Sequence, residues 1–327
     1  MADLVAIIGG DTLLGRELRD SLDSSGLAVR LRQVSTEEKE AAVITREDDD
    51  LALMQKLDAP ALQGVKIAFL TADAAAARKT FKLAQKEAVT LIDLTGTLEE
   101  NRSTALAAPM CGVRADSSHY VVAHPAAIAL AILRQQLTGV VRWVATICEP
   151  ASERGRAGVE ELQQQTVALL SFKKQPQAIF DAQAAFNLLP RYGEDAPVKL
   201  FTMEERIARH LQALTPKGPQ PSLRLMHAPV FHGHVFSIWV EFEKPVAVDD
   251  LEAELVSDWI DLRTSETEPP TNTGVAQQAG IQVTVQFDRA NPRAAWFFVA
   301  ADNVKLMADN AVQLAATRLT PKKERVR

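Results

Sequence analysis

Two parts of the sequence carry residue types that could do chemistry: a glycine-rich turn near the start and a group of histidines further along. The turn reads GGDTLLG and follows a short apolar run. Glycine at such positions lets the backbone turn sharply and approach a pyrophosphate at the N-terminus of the next helix. The spacing predicts a nucleotide-binding type of turn, made by Gly9, Gly10, Asp11, Thr12, Leu13, Leu14 and Gly15.

Two residues of this turn act against a bound anion. Thr12 stands at the middle position of the GxxGxxG spacing and brings a Cβ and a hydroxyl into the close approach. Asp11 adds a negative charge where a phosphate would lie. We therefore expect a strand, turn and helix with weakened dinucleotide binding. The alternative is a turn that merely joins strand to helix.

The histidines lie between residues 227 and 234. His232 and His234 would share one face of a regular strand, roughly 6–7 Å apart. With a third ligand such as Glu149, two imidazoles at that spacing could begin a zinc site. That third ligand would have to come from elsewhere in the chain, so we expect polar packing and no metal. An imidazole here could instead move protons near neutral pH.

Charge and cysteine content narrow the class of protein. The net charge is −6 with mixed signs, which leaves no long basic surface for nucleic acid. Cys111 and Cys148 form no disulfide framework and are expected to be buried and unreactive. The chain begins without a signal-like segment and has no run of membrane-spanning length, so we expect a cytoplasmic protein. The basic tail is expected to be solvated; it comprises Lys322, Lys323, Arg325 and Arg327.

Periodicity predicts the elements that must position these residues. Apolar runs at 4–8, 65–70, 89–94 and 119–122 alternate with helical stretches, which predicts an α/β domain with a parallel, doubly wound sheet. From Val140 the strands lengthen and alternate, which predicts a half-buried, mostly antiparallel sheet. Later elements are a strand at 230–242 with its even-numbered residues from His232 on one face, a loop at 264–280, strands at 283–287 and 295–300, and a helix at 303–319.

Several segments, in their order and spacing, resemble aspartate-semialdehyde dehydrogenase. They are VAIIGGDTLLG, LIDLTG, VVAHPAAIALAIL, FDAQAAFNLLP, APVFHGHVFSIWVEF and ADNVKLMADNAVQLA. The resemblance covers nearly the whole chain, and AFNLLP and the last helix are its most specific parts. It implies a Rossmann-type domain of residues 1–127 joined by a C-terminal helix, 303–327. It also implies an α+β dimerisation domain, 128–302, and a homodimer of a bacterial amino-acid biosynthesis family.

The resemblance further implies a lost nucleophile. Members of that family reductively dephosphorylate aspartyl phosphate with NADPH through a cysteine thioester. Their cysteine lies in an Asn-Pro-Asn-Cys-type motif at the start of a helix, where this chain reads His124-Pro125-Ala126-Ala127. Ala127 thus stands at the nucleophile position. Cys111 lies 16 residues before it and Cys148 lies 21 after it, so a shifted alignment does not restore the thiol.

Of three further positions in the family's site, two carry a different residue in this chain and one keeps the family's histidine. Glu149 stands where the family has a glutamine that orients the acyl group. His227 stands where it has the arginine that binds the substrate carboxylate, and an imidazole lacks the bidentate fork of a guanidinium. His234 stands at the family's acid–base histidine and is the residual catalytic candidate.

The family's anion-binding positions also differ. Glu99 takes the place of a phosphate-binding arginine, Ile207 that of a basic residue, and Glu37 lies near an arginine that would hold the 2′-phosphate of NADP. The resemblance therefore implies weakened NADP binding, or no cofactor if the chain is a pseudoenzyme.

Three functions remain open. The first is a catalytically degenerate paralogue that forms a homodimer and has a binding or interaction role. The second is an NAD(P)-dependent oxidoreductase that acts on an aldehyde or acyl substrate without a thioester, with His234 moving the proton. The third is a non-catalytic partner of an active dehydrogenase paralogue.

Overall fold

The computed structural model describes residues 2–36, 43–45, 51–114 and 116–319. It divides the chain into two compact units. The first comprises the residues up to Ala123 together with those from Met307 onward, and the second is His124–Leu306. Both boundaries lie a few residues from the predicted ones. Glu37, the basic tail and the end of the predicted helix 303–327 lie outside the described residues.

The first unit contains, among its described residues, a sheet of seven parallel strands in the order β5-β2-β1-β6-β7-β9-β8 and a separate antiparallel pair, β3-β4. The strands are β1 (Asp3–Ile8), β2 (Val29–Ser35), β3 (Val43–Thr45), β4 (Leu51–Leu53), β5 (Gln55–Lys56), β6 (Ile67–Leu70), β7 (Thr90–Asp93), β8 (Thr104–Ala107) and β9 (His119–Val122). The helices are α1 (Leu13–Ser24), α2 (Ala59–Leu62), α3 (Ala74–Ala84) and a 3-10 helix (Pro109–Cys111).

The central strands of this sheet are short apolar runs because both of their faces are covered. Every residue of β6 is buried, and the last four residues of β1 are buried as well. A parallel sheet covered on both sides selects such continuous apolar strands over alternating ones. The predicted α/β architecture with a parallel, doubly wound sheet is confirmed.

The second unit contains a six-stranded sheet, counted over the described residues, in the order β11-β10-β12-β15-β14-β13. Its strands are β10 (Val140–Glu149), β11 (Ser222–His227), β12 (His234–Phe242), β13 (Ile260–Leu262), β14 (Ile281–Phe287) and β15 (Ala294–Ala301). Its helices are α4 (Pro125–Gln136), a 3-10 helix (Ala151–Arg154), α5 (Gly155–Leu170), α6 (Leu200–Leu214) and α7 (Val248–Glu254). The last helix, α8 (Asn303–Ala316), begins in this unit and continues in the first.

This second sheet is mixed, so the prediction of a mostly antiparallel sheet is not correct as stated. The three central pairings are antiparallel, but β10 pairs with β11 and β13 with β14 in parallel. The chain between β10 and β11 contains α5 and α6 and is long enough for a parallel crossover. Alternation of apolar residues reports burial of one face and is the same for both strand directions.

Strand β12 begins four residues later than predicted. His234, Phe236, Ile238 and Val240 are buried on one face, in agreement with the predicted alternation. His232 lies outside the strand, because Gly233 has φ +83° and breaks the extended backbone ahead of His234. The expectation that His232 and His234 share a strand face is therefore wrong.

The loop between β13 and β14 is present as predicted, and residues 263–280 contain no helix or strand. Within the described ranges, none of the helices has both the length and the apolar character needed to cross a bilayer. The cytoplasmic location stays a prediction.

Candidate functional site

The glycine turn of the first unit has the steric form of a nucleotide-binding turn. Gly9 has φ +94°, and a Cβ there would lie 2.7 Å from the Cβ of Ala72. A Cβ on Gly15 would lie 2.2 Å from the carbonyl oxygen of Gly9. Neither position admits a side chain without displacing the backbone, so the turn and its close packing against α1 require glycine at both.

The polar groups of this turn, however, do not fit a pyrophosphate. The hydroxyl of Thr12 accepts from the amide of Gly15 at 3.0 Å and donates to the carbonyl oxygen of Gly9 at 2.8 Å. Thr12 thereby caps α1 with its own side chain, and one of the free amides that could hold a phosphate is taken. Oδ1 of Asp11 is buried without a hydrogen-bond partner within the described residues, and its carboxylate would repel an anion.

A second group of polar side chains lies within the second unit. They come from the end of β10, the end of β11, the start of β12, the N-terminus of α4, the 3-10 helix after β10, the loop after α5 and the start of α8. We call this group the buried polar cluster, in which Glu153 and Arg154 are partly exposed and the other members are buried; its members are His124, Glu149, Glu153, Arg154, Tyr192, His227, His234 and Asn303.

Strand register places three of the sequence-predicted residues together. Glu149 ends β10, His227 ends β11, and the two are register partners in the parallel pair. His234 begins β12, and its pKa responds to the Glu149 carboxylate. All three side chains are fully buried. The predicted candidates Glu149, His227 and His234 therefore belong to one site.

Glu149 is held by two donors on one of its oxygens. Arg154 Nη2 donates to Oε1 at 2.6 Å, and the hydroxyl of Tyr192 lies 2.9 Å from the same atom. The Tyr192 hydroxyl also lies 3.1 Å from Nδ1 of His227. Four side chains from four segments are thus linked, with one carboxylate and one guanidinium cancelling each other's charge.

Burial controls the protonation of these groups. Burial alone would lower the pKa of Arg154, but the opposing interactions, of which that with the Glu149 carboxylate is the largest, together outweigh burial and raise that pKa. Burial, followed by the Glu149 charge, raises the pKa of Tyr192 well above its usual value. Burial, followed by the charge of Arg154, lowers the pKa of His227 to about 4. At neutral pH the cluster therefore holds a neutral phenol and a neutral His227 imidazole beside an ion pair.

Glu153 lies between two further histidines. Its Oε2 is 3.4 Å from Nε2 of His124, and its Oε1 is 3.8 Å from Nε2 of His234. The amide of Asn303 donates to Oε1 at 2.8 Å. Burial alone would raise the pKa of Glu153, but its interactions with His124, then with His234 and with the Arg154 guanidinium, together outweigh that effect and hold the pKa below its usual range.

Both of these histidines favour the neutral form. Burial lowers the pKa of His234 against the opposing charges of Glu153 and Glu149. Burial also lowers the pKa of His124 despite Glu153, and the charge of Arg206 lowers it further. Arg206 precedes Ile207, the position at which the sequence suggested that a basic residue had been lost. The structure thus keeps a guanidinium charge near His124, which the alignment at Ile207 alone did not reveal.

Ala127 lies in the first turn of α4, one turn beyond the capping residue His124. The helix begins with His124, whose Nδ1 accepts from the amide of Ala126 at 3.2 Å, and with Pro125 at its first position. The backbone amide of His124 donates to Nδ1 of His210 at 2.9 Å, which ties α4 to α6. The methyl group of Ala127 is fully buried. The nucleophile position predicted from the sequence is therefore a packed hydrocarbon.

Neither cysteine of the chain joins this cluster. Cys148 precedes Glu149 on β10, so its side chain points to the opposite face, where it borders a surface pocket of about 290 Å³ with Val235 and Phe298. Desolvation raises the pKa of Cys148, and burial raises the pKa of Cys111 in the first unit to about 12. Both shifts disfavour the reactive thiolate.

Other predicted positions do not enter the cluster. Glu99 belongs to the first unit, and Ile207 is fully buried in α6. In the part of the chain that the structure describes, no group of three or more His, Cys, Asp and Glu side chains has a metal-binding arrangement. His232, for which the sequence favours polar packing over a zinc site begun with His234, lies in the loop before β12.

Sequence reasoning did not identify five members of the cluster as site residues: Glu153, Arg154, Tyr192, His124 and Asn303. The first two follow Glu149 in a short 3-10 helix whose spacing gives no periodic signal. A signal for Arg154 was nevertheless present, because a buried carboxylate at Glu149 requires a cation nearby. Nothing in the local sequence marks Tyr192.

Comparison with known proteins assigns the chain to a family. The family model for the semialdehyde dehydrogenase dimerisation domain matches residues 130–306. The chain belongs to the aspartate-semialdehyde dehydrogenase family. A USG-1 protein homolog from Pseudomonas aeruginosa is 28% identical over 95% of this chain and 96% of its own length. The aspartate-semialdehyde dehydrogenase of Rickettsia bellii is 24% identical over 95% of this chain and 96% of its own length.

Solved structures of the aspartate-semialdehyde dehydrogenase family share the fold. Aspartate semialdehyde dehydrogenase II from Vibrio cholerae, complexed with ASA, superimposes with a TM-score of 0.83 at 23% identity, covering 97% of this chain and 98% of the other. A probable aspartate-semialdehyde dehydrogenase from Pseudomonas aeruginosa gives a TM-score of 0.82 at 26% identity, with the same coverage. The buried polar cluster, apart from His124, falls within the segment that matches the dimerisation domain.

Proposed function

We propose that this chain is an aspartate-semialdehyde-dehydrogenase-like protein that does not carry out NADP-dependent reductive dephosphorylation, and that it acts as a homodimer with a binding or interaction role. The single observation that carries the proposal is Ala127, whose methyl group is fully buried at the position where the sequence resemblance puts the family's nucleophile. A methyl group cannot form a thioester, so the covalent intermediate has no acceptor.

Neither of the two cysteines of the chain replaces the missing thiol. Cys148 points to the other face of the sheet, and desolvation raises its pKa. His234 stands where the resemblance puts the family's acid–base histidine, but among the described residues neither cysteine lies in its cluster. A general base without a group to activate leaves acyl transfer through the protein without its first step.

We also propose that binding of NADP is weakened. A family member from Candida albicans has been solved with NADP, and its TM-score with this chain is 0.65 at 12% identity. In this chain the carboxylate of Asp11 and the capping hydroxyl of Thr12 occupy the turn that would face the phosphates. Both groups oppose an anion at the start of α1.

A homodimer is supported by the outer face of the second sheet. Val144, Trp296 and Phe298 are each at least 40% exposed there, and Trp239 pairs with Trp296 across β12 and β15. Exposed aromatic residues on a flat sheet face are typical of an interface with another protein. This face lies within the segment that matches a dimerisation domain. We therefore propose a second copy of the chain as its occupant.

The decisive experiment is a direct assay of the purified chain with aspartate semialdehyde, phosphate and NADP, beside an active member of the family as positive control. The proposal expects no NADPH formation above the background of a mock purification. Turnover that co-purifies with the chain and is lost in His234→Asn would overturn it, because that result excludes a contaminating enzyme.

A further inference from the structure

The hydroxyl of Tyr192 fixes the position of two protons in the cluster. It lies 2.9 Å from Oε1 of Glu149 and 3.1 Å from Nδ1 of His227. A carboxylate paired with a guanidinium accepts hydrogen bonds and donates none, so the single phenol hydrogen points to Glu149. The oxygen of Tyr192 then acts as an acceptor toward His227. The His227 atom that faces it, Nδ1, must therefore carry the ring hydrogen.

The other ring nitrogen of His227, Nε2, consequently carries a lone pair and no hydrogen. A neutral imidazole has one hydrogen, and with that hydrogen on Nδ1 the atom Nε2 can only accept. Burial and the charge of Arg154, which lower the pKa of His227 to about 4, keep the ring neutral at pH 7. The side chain is fully buried, and among the described residues Nε2 has no hydrogen-bond partner.

We propose that Nε2 of His227 is a ligand-binding atom that accepts a hydrogen bond from the hydroxyl or amide N–H of an uncharged ligand. The proposal rests on the proposed function, in which this chain no longer processes an acyl phosphate. Tyr192 and Glu149 are positioning residues, because they act on the ligand only by fixing the ring and its tautomer. Neither the sequence nor the comparisons assign a role to Tyr192.

The charges around His227 favour a neutral donor over a carboxylate. Glu149 and Arg154 cancel each other's charge, so the neighbourhood offers no net cation to attract an anion. Oε2 of Glu149 is also buried without a partner within the described chain, which adds a second bare acceptor. A carboxylate ligand would bring its own lone pairs against that of Nε2, whereas a hydroxyl or amide supplies the hydrogen that Nε2 lacks.

The tautomer can be observed directly by NMR. The chain has six histidines, so ¹⁵N-histidine labelling gives few ring signals, and His227→Gln assigns those of His227. The expected spectrum at pH 7 shows Nδ1 protonated and Nε2 unprotonated. Tyr192→Phe removes the acceptor and should move the hydrogen toward Nε2. The matched control, Tyr120→Phe, lies in the first unit and should leave the His227 signals unchanged.

A protonated Nε2 in the wild-type protein would overturn the assignment even if Tyr192→Phe did not fold. The ligand class is tested on the same signals with acetamide and acetate, which match in size but differ in the presence of a donor. Acetamide should shift the Nε2 resonance saturably, and acetate should not. A shift with acetate alone, or with neither probe, would overturn the binding role. Dehydrogenase turnover would defeat the proposed function and leave the tautomer unaffected, so the two failures are distinguishable.

Discussion

Arg154 and Glu149 form an ion pair of 2.6 Å in which the two side chains are 8% and 0% exposed. Arg154→Met would leave the Glu149 carboxylate buried without its cation. Because removing one partner of a buried pair strands the other charge, we expect the free energy of unfolding to fall by about 3–5 kcal/mol. Urea denaturation followed by circular dichroism measures this change.

Arg156 is the matched control, two residues further along the chain. It pairs with Glu160 at the same distance, 2.6 Å, but these side chains are 68% and 49% exposed. Arg156→Met should cost less than about 1 kcal/mol, since water screens an exposed pair. Equal losses in the two variants would contradict a buried, cluster-specific role for Arg154.

The histidines of the cluster should make folding stability sensitive to acid. Burial and Arg154 lower the pKa of His227 from 6.5 to about 4 in the folded protein. The unfolded chain therefore binds the proton first, and stability present above pH 6.5 is lost as the pH falls toward 4. His227 alone accounts for roughly 3 kcal/mol by this argument. Urea midpoints measured between pH 7.5 and pH 4.5 test it.

Substitution separates His227 from the other titrating groups. His227→Gln should flatten the acid side of the stability profile, because glutamine does not titrate. His232→Gln serves as the control, since His232 lies in the loop before β12 and outside the cluster. An unchanged profile in His227→Gln, with the same profile in the control, would rule out His227 as a source of the acid sensitivity.

Removing the negative charge of Asp11 from the glycine turn should strengthen the binding of NADPH. Asp11→Asn should lower the dissociation constant for NADPH at least about fivefold, because unit charges about 4 Å apart in water interact by about 1 kcal/mol. Thermal-shift titration measures both proteins. The control, Asp20→Asn, removes an exposed carboxylate from the far part of α1 and should leave the affinity unchanged. Wild-type affinity equal to that of Asp11→Asn would contradict weakening by Asp11.

If the outer face of the second sheet forms the dimer interface, a charged substitution on that face should dissociate the dimer. Trp296→Glu places a charge on a face where the tryptophan is 43% exposed, and burying that charge in an interface is unfavourable. Sedimentation velocity should show a monomer for this variant and a dimer for the wild-type chain. Phe201→Glu, at a helical phenylalanine that is 65% exposed on α6, should remain dimeric. A wild-type monomer, or a dimeric Trp296→Glu, would oppose the proposed interface.

The sequence predicted those parts of the fold that depend on local features, such as the end of a strand or its buried face. The apolar run of β1 and Gly9 marked a strand that ends where a positive φ begins. Alternation predicted the buried face of β12, because each even-numbered residue of the strand is apolar or a cluster histidine. The directions of β11 and β13 could not be predicted, since they depend on the paths of the connections.

The site was predicted less completely than the fold. Glu149, His227 and His234 were identified through the family resemblance, which marks positions within strands. Arg154 fell in a 3-10 helix without periodicity, and Tyr192 reaches Glu149 from 43 residues away. Long-range partners of a buried charge depend on tertiary packing, which local spacing does not encode.

Cys148 and Glu149 are neighbours in sequence, yet they belong to opposite faces of one sheet. Odd-numbered positions at the end of β10 therefore determine what the interior can recognise, and even-numbered positions determine what the exterior can touch. A mutant library that varies only the odd-numbered positions could therefore change ligand binding without changing the residues on the outer sheet face. The same separation lets residues that contact a ligand and residues that contact another chain change independently of each other.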